Sequence, residues 1–255
     1  VVKPVDGNQS RGLTVNVDLS KFPEAWKYAS ENTNARILIE RFLQGPKSRY
    51  LVVGNKCVAV LQETQPFVVG DGRNTISALV EEKNRVRKHN PYLRDYPISL
   101  GQTQIGFLQR CGLRANSIID AGEYVALQGN PDLIDGGDTI DITLQADEGL
   151  KRMAENITSY LPGLDIIGFD VVAIDHCAPD GGGGVVFLEG NTRPDISEHH
   201  FPTFGQPIDA ASIIADNCER KLTQADAPTK RAAERVPSDL SKVVIDKLPE
   251  ENIYF

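Results

Sequence analysis

The sequence predicts an α+β fold built on antiparallel hairpins, and two observations predict it. Apolar stretches face each other across short turn signals: Arg49 to Val53 and Lys56 to Gln62 flank Gly54-Asn55, and Asp165 to Ile174 and Val185 to Glu189 flank the glycine-rich segment from Asp180 to Gly184. Around these pairs lie stretches that read as helices: Lys21 to Asn32, Thr75 to Lys88, Ala146 to Tyr160 and Ile208 to Lys221.

The remaining segments follow in order. Val1-Val2-Lys3-Pro4 reads as the end of a buried strand, so the sequence is expected to begin inside a longer polypeptide. The small polar residues from Asp6 to Gly12, followed by the alternation Leu13 to Val17, read as a hairpin with a flexible glycine loop. Arg36 to Phe42 reads as a strand around Ile37-Leu38-Ile39. The order Gly54-Asn55 suits a type II′ turn better than type I′. Asn74 or Thr75 supplies the N-cap of the second helix. Residues 90 to 145 are mixed, with turn clusters at Asn130-Pro131-Asp132 and Asp135-Gly136-Gly137-Asp138. Beyond Leu222 the chain turns polar and charged, a surface linker and weakly amphipathic tail. The closing Glu251 to Phe255 comes within one residue of a protease-site tag, and both a vector remnant and a native end fit it.

Composition narrows the functional classes. The 255 residues are 40% hydrophobic and 24% charged, which is ordinary for a globular protein with its own core. A formal charge of −8 argues against a nucleic-acid partner, because phosphate backbones require a clustered basic surface. The four cysteines, Cys57, Cys111, Cys177 and Cys218, are widely spaced without metal-site pairing and are expected as buried free thiols in a reducing compartment. No apolar run reaches the roughly 18 residues of a membrane span, and a cytoplasmic location is expected.

Candidate chemistry concentrates at two places. Asp170 lies on one strand, and Glu189 and Asn191 lie at alternate positions on its hairpin partner, so three oxygen-bearing side chains can share a face. Two carboxylates and an amide suit Mg²⁺ when nucleotide phosphates complete its shell. Taken alone, the same residues also read as a solvent-facing Asp and a strand end before the turn Thr192-Arg193-Pro194. Lys3 stands at a strand end before a glycine turn, placed as a cation for phosphate. Arg49 offers a fork to phosphate or carboxylate, or serves as a surface strand charge. Gly181 to Gly184 lacks the spacing of a phosphate-binding loop and reads as a hairpin loop. His199 and His200 point in different directions, which favours a substrate contact or a loop over chelation of one ion.

In this order the segments resemble the ATP-grasp superfamily across roughly residues 1 to 220. VVKPVDGNQSRG resembles its lysine and glycine-loop segment, ILIERFLQG its adenine hinge, SRYLVVGNKCVAV its arginine strand, and GFDVVAID and VVFLEGNTRP its metal-binding strands. PFVVGDGRNTISALVEEKNR, DLIDGGDTIDIT and EHHFPTFGQP are similar to the branch containing cyanophycin synthetases, bifunctional glutathione synthetases and N-acetylglutaminylglutamine synthetase. The sequence departs from that pattern at several positions. Lys47 stands where an acidic residue is common, Gln9 where cyanophycin synthetases usually have His, Gln128 where an arginine is common, Asp195 where a Gly follows the Asn-x-x-Pro motif, and Leu-Ile-Asp precedes the glycine pair in place of Leu-Ser-Thr.

The resemblance implies two α+β subdomains whose antiparallel sheets clamp ATP, here residues 1–62 and 63–220, followed by a polar tail over 221–255. It implies an ATP-dependent carboxylate-amine ligase that works through an acyl phosphate, with an amino acid or short peptide as substrate. By that match ATP would contact Lys3, Gly7, Gly12, Glu40, Arg41, Phe42 and Arg49, and Asp170, Glu189 and Asn191 would hold Mg²⁺, with Mn²⁺ as a substitute. Arg49 and Arg193 would be catalytic; Arg73, Arg193 and His199 are the candidates to meet substrate carboxylates, and read equally as surface or loop charges. The partners are then a carboxylate and an amine, neither nucleic acid nor membrane, with self-association left open. A second reading, nucleotide or peptide binding without ligation, draws on Lys47 and on the missing N-terminal segment.

Overall fold

Short apolar strands pack under a helix at the start of the chain. The computed structural model describes residues 1–7, 11–129, 131, 133 and 135–225. Val2–Pro4 (β1) pairs antiparallel with Ile37–Ile39 (β2), and helix α1 (Phe22–Glu31) buries Ala25 and Ala29 with Val2 and Ile37. Those alanines are four residues apart and so share one face. Asp18 closes the turn that leads into the helix, its Oδ1 accepting from the Ser20 and Lys21 amides at 2.9 and 3.0 Å. The strand expected over Leu13 to Val17 does not form. Only Thr14 bridges to Val2, because Asn16 turns into the left-handed region at φ 51° and breaks the extended run. The strand expected over Arg36 to Phe42 is confined to Ile37–Ile39.

Lys47–Val53 (β3) and Lys56–Thr64 (β4) form the central hairpin. Gly54 and Asn55 have φ of 57° and 67°, so the turn is type I′, not the expected II′. The I′ twist matches that of the strands, and Asn tolerates the left-handed conformation that both central positions need.

Phe67–Val69 (β5), helix α2 (Ile76–Arg87), helix α3 (Gln102–Arg110) and Tyr124–Ala126 (β6) come next. They share a second core of Val68, Ile76, Val80, Leu108, Val125 and Leu127. Thr75 is the N-cap of α2, its hydroxyl accepting from the Ala78 amide at 3.2 Å. The region that read as mixed thus contains α3, β6 and also Asp138–Asp141 (β7), which returns to the edge of β4.

Helix α4 (Glu148–Ser159), capped by Asp147, leads into Ile166–Ala173 (β8). The glycine run makes one irregular turn (α5, Asp180–Gly183), with φ of 54° to 93° across its residues, before Val185–Asn191 (β9). That conformation is left-handed, so the segment is in substance the expected loop. The large sheet is wholly antiparallel in the order β7-β4-β3-β8-β9. A short turn, α6 (Ser197–His200), and helix α7 (Ala210–Ala225) follow.

Alternation along β3 assigns the two sheet faces. Tyr50 and Val52 join Leu150 and Ala154 of α4, while Leu51 and Val53 join Ala210, Ile196 and Ile208 on the other side. Lys47 and Arg49 belong to the second side. So does Asp170, the neighbour of Phe169, whose ring packs with Tyr50 on the α4 side.

Residues 1–217 form one compact unit, and a second begins at Cys218. The readings of the tail after Ala225 and of Glu251 to Phe255 lie outside the described residues. All four cysteines are free, but burial is not their rule: Cys111, Cys177 and Cys218 are exposed and Cys57 is half-buried. No helix among the described residues is long and apolar enough to cross a membrane.

One buried ionic cluster joins the second core to the sheet edge. Lys83 and Arg87, four residues apart on α2, both reach Asp138 of β7 at 2.5 Å. The Asp138 side chain is fully buried and also accepts from the Thr203 hydroxyl at 3.3 Å. Arg87 donates further to the Tyr96 and Gly137 carbonyls, and Lys83 sits 3.5 Å from the centre of the Phe67 ring. Asp138→Ala is expected to lower stability by about 3–5 kcal/mol, because it strands two cations beside apolar surface. Urea unfolding followed by fluorescence measures this, and a loss within about 0.5 kcal/mol, typical of a surface substitution, would show that the cluster carries little.

Candidate functional site

The register of the large sheet determines which side chains meet. Arg49 of β3 is opposite Asp170 of β8, and Asp170 is opposite Glu189 of β9. Asn191 is two residues beyond Glu189, and its amide nitrogen stands 3.4 Å from a Glu189 carboxylate oxygen. The three oxygen-bearing residues expected at a metal therefore come together on the face opposite α4. Glu189 is exposed and Asp170 is 6% exposed, so the set runs from the sheet interior to its rim.

This donor set fits Mg²⁺ held jointly with phosphates. Its atoms are hard oxygens, two carboxylate side chains lie opposite each other, and the rim is open to a ligand. Among the described residues no three His, Cys, Asp or Glu side chains could hold a metal ion by themselves.

Arg49 is not a free fork. Its Nε donates to Asp170, and its Nη1 stands 3.5 Å from Glu198 of α6. Burial opposes the charge on its guanidinium, but Glu198 and Asp170 outweigh that and raise its pKa. Lys47, two residues earlier on the same face, pairs with Glu63 of β4 at 2.9 Å and lies 3.8 Å from Asp170. Burial works against this ammonium as well, and Glu63 and Asp170 together hold its pKa above the ordinary value. The residue that departs from the resemblance thus has a carboxylate partner of its own. Burial also pushes the Glu63 carboxyl up, against the pull of Lys47.

Two adjacent residues close the cluster from above. Glu198 and His199 are 3% and 1% exposed. Burial raises the Glu198 carboxyl to about 7 and lowers His199 to about 4, the latter aided by Arg49. His199 is therefore neutral at physiological pH, and its Nε2 is buried without a hydrogen-bond partner.

The close approach on this face depends on Gly168. A Cβ there would stand 2.8 Å from the Pro194 side chain and 3.0 Å from Arg49 Cδ. Entry into β3 is pinned by His176, which donates from Nε2 to the Pro46 carbonyl at 2.9 Å and accepts at Nδ1 from the Tyr50 hydroxyl at 3.0 Å.

The other expected residues fall in separate places. Lys3 and Glu40, both expected at the nucleotide, meet in an ion pair of 2.7 Å beside the small sheet. Gly12 is buried at φ 75°, where a Cβ would strike Pro4, whereas Gly7 is exposed. Arg41 and Phe42 are exposed just after β2. Arg193 is exposed beyond β9, and Arg73 is exposed in a turn where Asp71 accepts from its amide at 2.9 Å. His200 accepts from the Ala211 amide at 3.1 Å. Sequence reasoning missed Glu63, Glu198 and Gly168. The alternation of Lys47 with Arg49 pointed at a shared face, but nothing in the spacing pointed at Glu198, 149 positions from Arg49 along the chain.

The α+β architecture of antiparallel sheets matches that of a solved bifunctional glutathione synthetase, and the chain has the ATP-grasp fold. Within it the chain resembles the branch of cyanophycin synthetases and bifunctional glutathione synthetases. No family model matches the chain. It is 36% identical over 222 residues to a cyanophycin synthetase of Crocosphaera subtropica, covering 85% of this chain and 25% of that protein. It is 31% identical over 223 residues to a bifunctional glutathione biosynthesis protein of Clostridium perfringens, covering 85% of this chain and 28% of that one. Among solved structures it is similar to a bifunctional glutathione synthetase from Pasteurella multocida, with a TM-score of 0.63 and 26% identity over 86% of this chain and 31% of that chain. The chain thus spans about a quarter to a third of these relatives' length.

The buried Glu198 makes a pH test. Glu198 has a folded pKa above its ordinary 4.5, so its contribution is full below pH 4.5 and is lost as pH rises through about 7. Glu198→Gln abolishes that loss. Relative to wild type the variant is expected to gain stability steadily between pH 4.5 and 7 and to hold a constant margin above it. Urea midpoints across that range measure the margin, and a flat difference would mean that Glu198 titrates normally.

Proposed function

We propose that this chain is the ATP-binding catalytic part of an ATP-dependent carboxylate-amine ligase acting on amino acids or short peptides. The observation that carries the reading is the register Arg49–Asp170–Glu189, with Asn191 on the same face. It sets a cation that can meet phosphate beside a Mg²⁺-type oxygen set. The similarity to cyanophycin and glutathione synthetases supports the same chemistry.

In this reading Asp170, Glu189 and Asn191 hold Mg²⁺, which when bound neutralises phosphate charge and fixes the geometry of ATP. Lys3 and Arg49 meet phosphate oxygens, and the segment Glu40-Arg41-Phe42 meets the adenine. The substrate carboxylate oxygen attacks the γ-phosphorus as the bond to ADP breaks. The amine then attacks the carbonyl of the acyl phosphate, a tetrahedral intermediate forms, and phosphate leaves as the amine gives up a proton. Arg193, exposed just beyond β9, would meet the departing phosphate. Most of the catalytic effect comes from positioning and from charges already in place. Exposed Arg73 and Arg193 are the candidate contacts for substrate carboxylates, whereas His199, 1% exposed, is buried out of their reach.

Calorimetry with ATP, with and without Mg²⁺, tests the site directly. Wild type is expected to bind ATP in a Mg²⁺-dependent way. Asp170→Asn combined with Glu189→Gln is expected to lose at least the roughly 10- to 100-fold that even an outer-sphere change costs a metal site. Equal binding by wild type and double variant would remove the metal assignment. Binding with ADP release absent for every amino-acid pair tried would favour the non-ligating module.

A further inference from the structure

Arg49 has two jobs that conflict. In the structure its Nε is bonded to Asp170, yet Asp170 is also one of the oxygen ligands proposed for Mg²⁺. A metal at Asp170 and a guanidinium on the same carboxylate repel each other, so capture of the metal must loosen that bond. An arginine freed in a partly buried site would lose its orientation just when a phosphate arrives.

The other end of the guanidinium answers this. Glu198 places a carboxylate 3.5 Å from Arg49 Nη1. It is 3% exposed, and Oε1, the oxygen nearest Arg49, is buried without any hydrogen-bond partner. A buried carboxylate oxygen with no hydrogen bond is costly unless it faces a cation. A small movement of Nη1 would turn the 3.5 Å ion pair into a charge-assisted hydrogen bond. The scaffold holds Glu198 in place from its neighbours. The His199 carbonyl accepts from the Ile208 amide at 2.9 Å, the His200 amide donates to the Ile196 carbonyl at 3.3 Å, and Ile196 and Ile208 pack on Leu51 and Val53 of the sheet. Lys47 lies 3.8 Å from Asp170 on the other side and pairs with Glu63, and as a cation it offers Arg49 no anchor.

We propose that Glu198 is a positioning residue that holds the Nη1 end of Arg49, so that Arg49 can yield Asp170 to the metal and stay aimed at phosphate. The inference rests on the proposed reading of Asp170, Glu189 and Asn191 as a Mg²⁺–nucleotide site. Without Glu198, Asp170 is the only carboxylate among the described residues left within ion-pair distance of Arg49, and the metal has to compete with an undivided ion pair.

The test is the Mg²⁺ concentration that gives half-maximal ATP binding, measured by calorimetry at pH 8, where Glu198 is ionised. Wild type, Glu198→Gln, Glu198→Met, Arg49→Gln and the Arg49→Gln/Glu198→Gln double variant are compared, with thermal unfolding confirming that each is folded. Glu198→Gln and Glu198→Met are expected to raise the requirement at least fivefold. In the Arg49→Gln background the same Glu198 change is expected to alter it less than twofold, because the effect runs through Arg49. An equal shift in both backgrounds would mean that Glu198 acts only through its general field, and no shift in either would mean that it does not act at all; both overturn the inference while leaving the nucleotide site standing. A wild type that binds no ATP at any Mg²⁺ concentration would instead remove the site reading itself, and the inference with it.

Discussion

The ion pair between Arg49 and Asp170 is the constraint around which the charged face is arranged. It spans the two central strands of the large sheet, and it is directly opposed across β9 by Glu189. Placing such charges in a half-buried site is costly unless each has a partner. Each of the buried carboxylates has one: Asp170 meets Arg49 and Lys47, Glu63 meets Lys47, and Glu198 meets Arg49. Removing one member leaves its neighbour's charge without that partner. The same logic recurs at the other sheet edge, where Lys83 and Arg87 share the single buried carboxylate of Asp138.

Close packing then gives the charges their geometry. Gly168 lets Pro194 and the Arg49 stem lie flat on β8, and Gly45 passes so near the Ala173 carbonyl that a Cβ would come within 2.1 Å. His176 ties Pro46 and Tyr50 together at the start of β3, in the one tautomer that satisfies both partners. Strand β3 thus enters the sheet at a fixed height, and Lys47 and Arg49 are delivered beside Asp170. Apolar contacts on both faces, from α4 on one side and from Ile196, Ile208 and Ala210 on the other, keep the strand from sliding.

Much of the fold was legible because its signals are local. The central hairpin, α1, α2, α4 and the β8–β9 pair follow from periodicity of two or 3.6 with recognisable caps. The Asp170, Glu189 and Asn191 set was legible for the same reason, since a hairpin puts alternate residues on one face. Where local reading failed, a single backbone preference or a distant partner decided the matter. Asn16 ended the strand expected after Leu13, and Gly54-Asn55 took the turn that the strand twist prefers. β5, β6 and β7 are each only three or four residues long, too short for periodicity to separate them from loop.

By itself the sequence determined which residues are proposed to bear the chemistry and in what order: a lysine before a glycine turn, an arginine strand, then Asp and Glu-x-Asn on a closing hairpin. Those are properties of neighbours along the chain, where covalent geometry alone fixes what shares a face. Only the tertiary structure decided their partners. It gave Lys47 to Glu63, gave Arg49 to Asp170 and Glu198 together, and buried His199 as a neutral imidazole. The two pairings of Arg49 join strands and turns more than a hundred residues apart, and the energy of a buried charge depends on what is folded against it rather than on what precedes it in the chain.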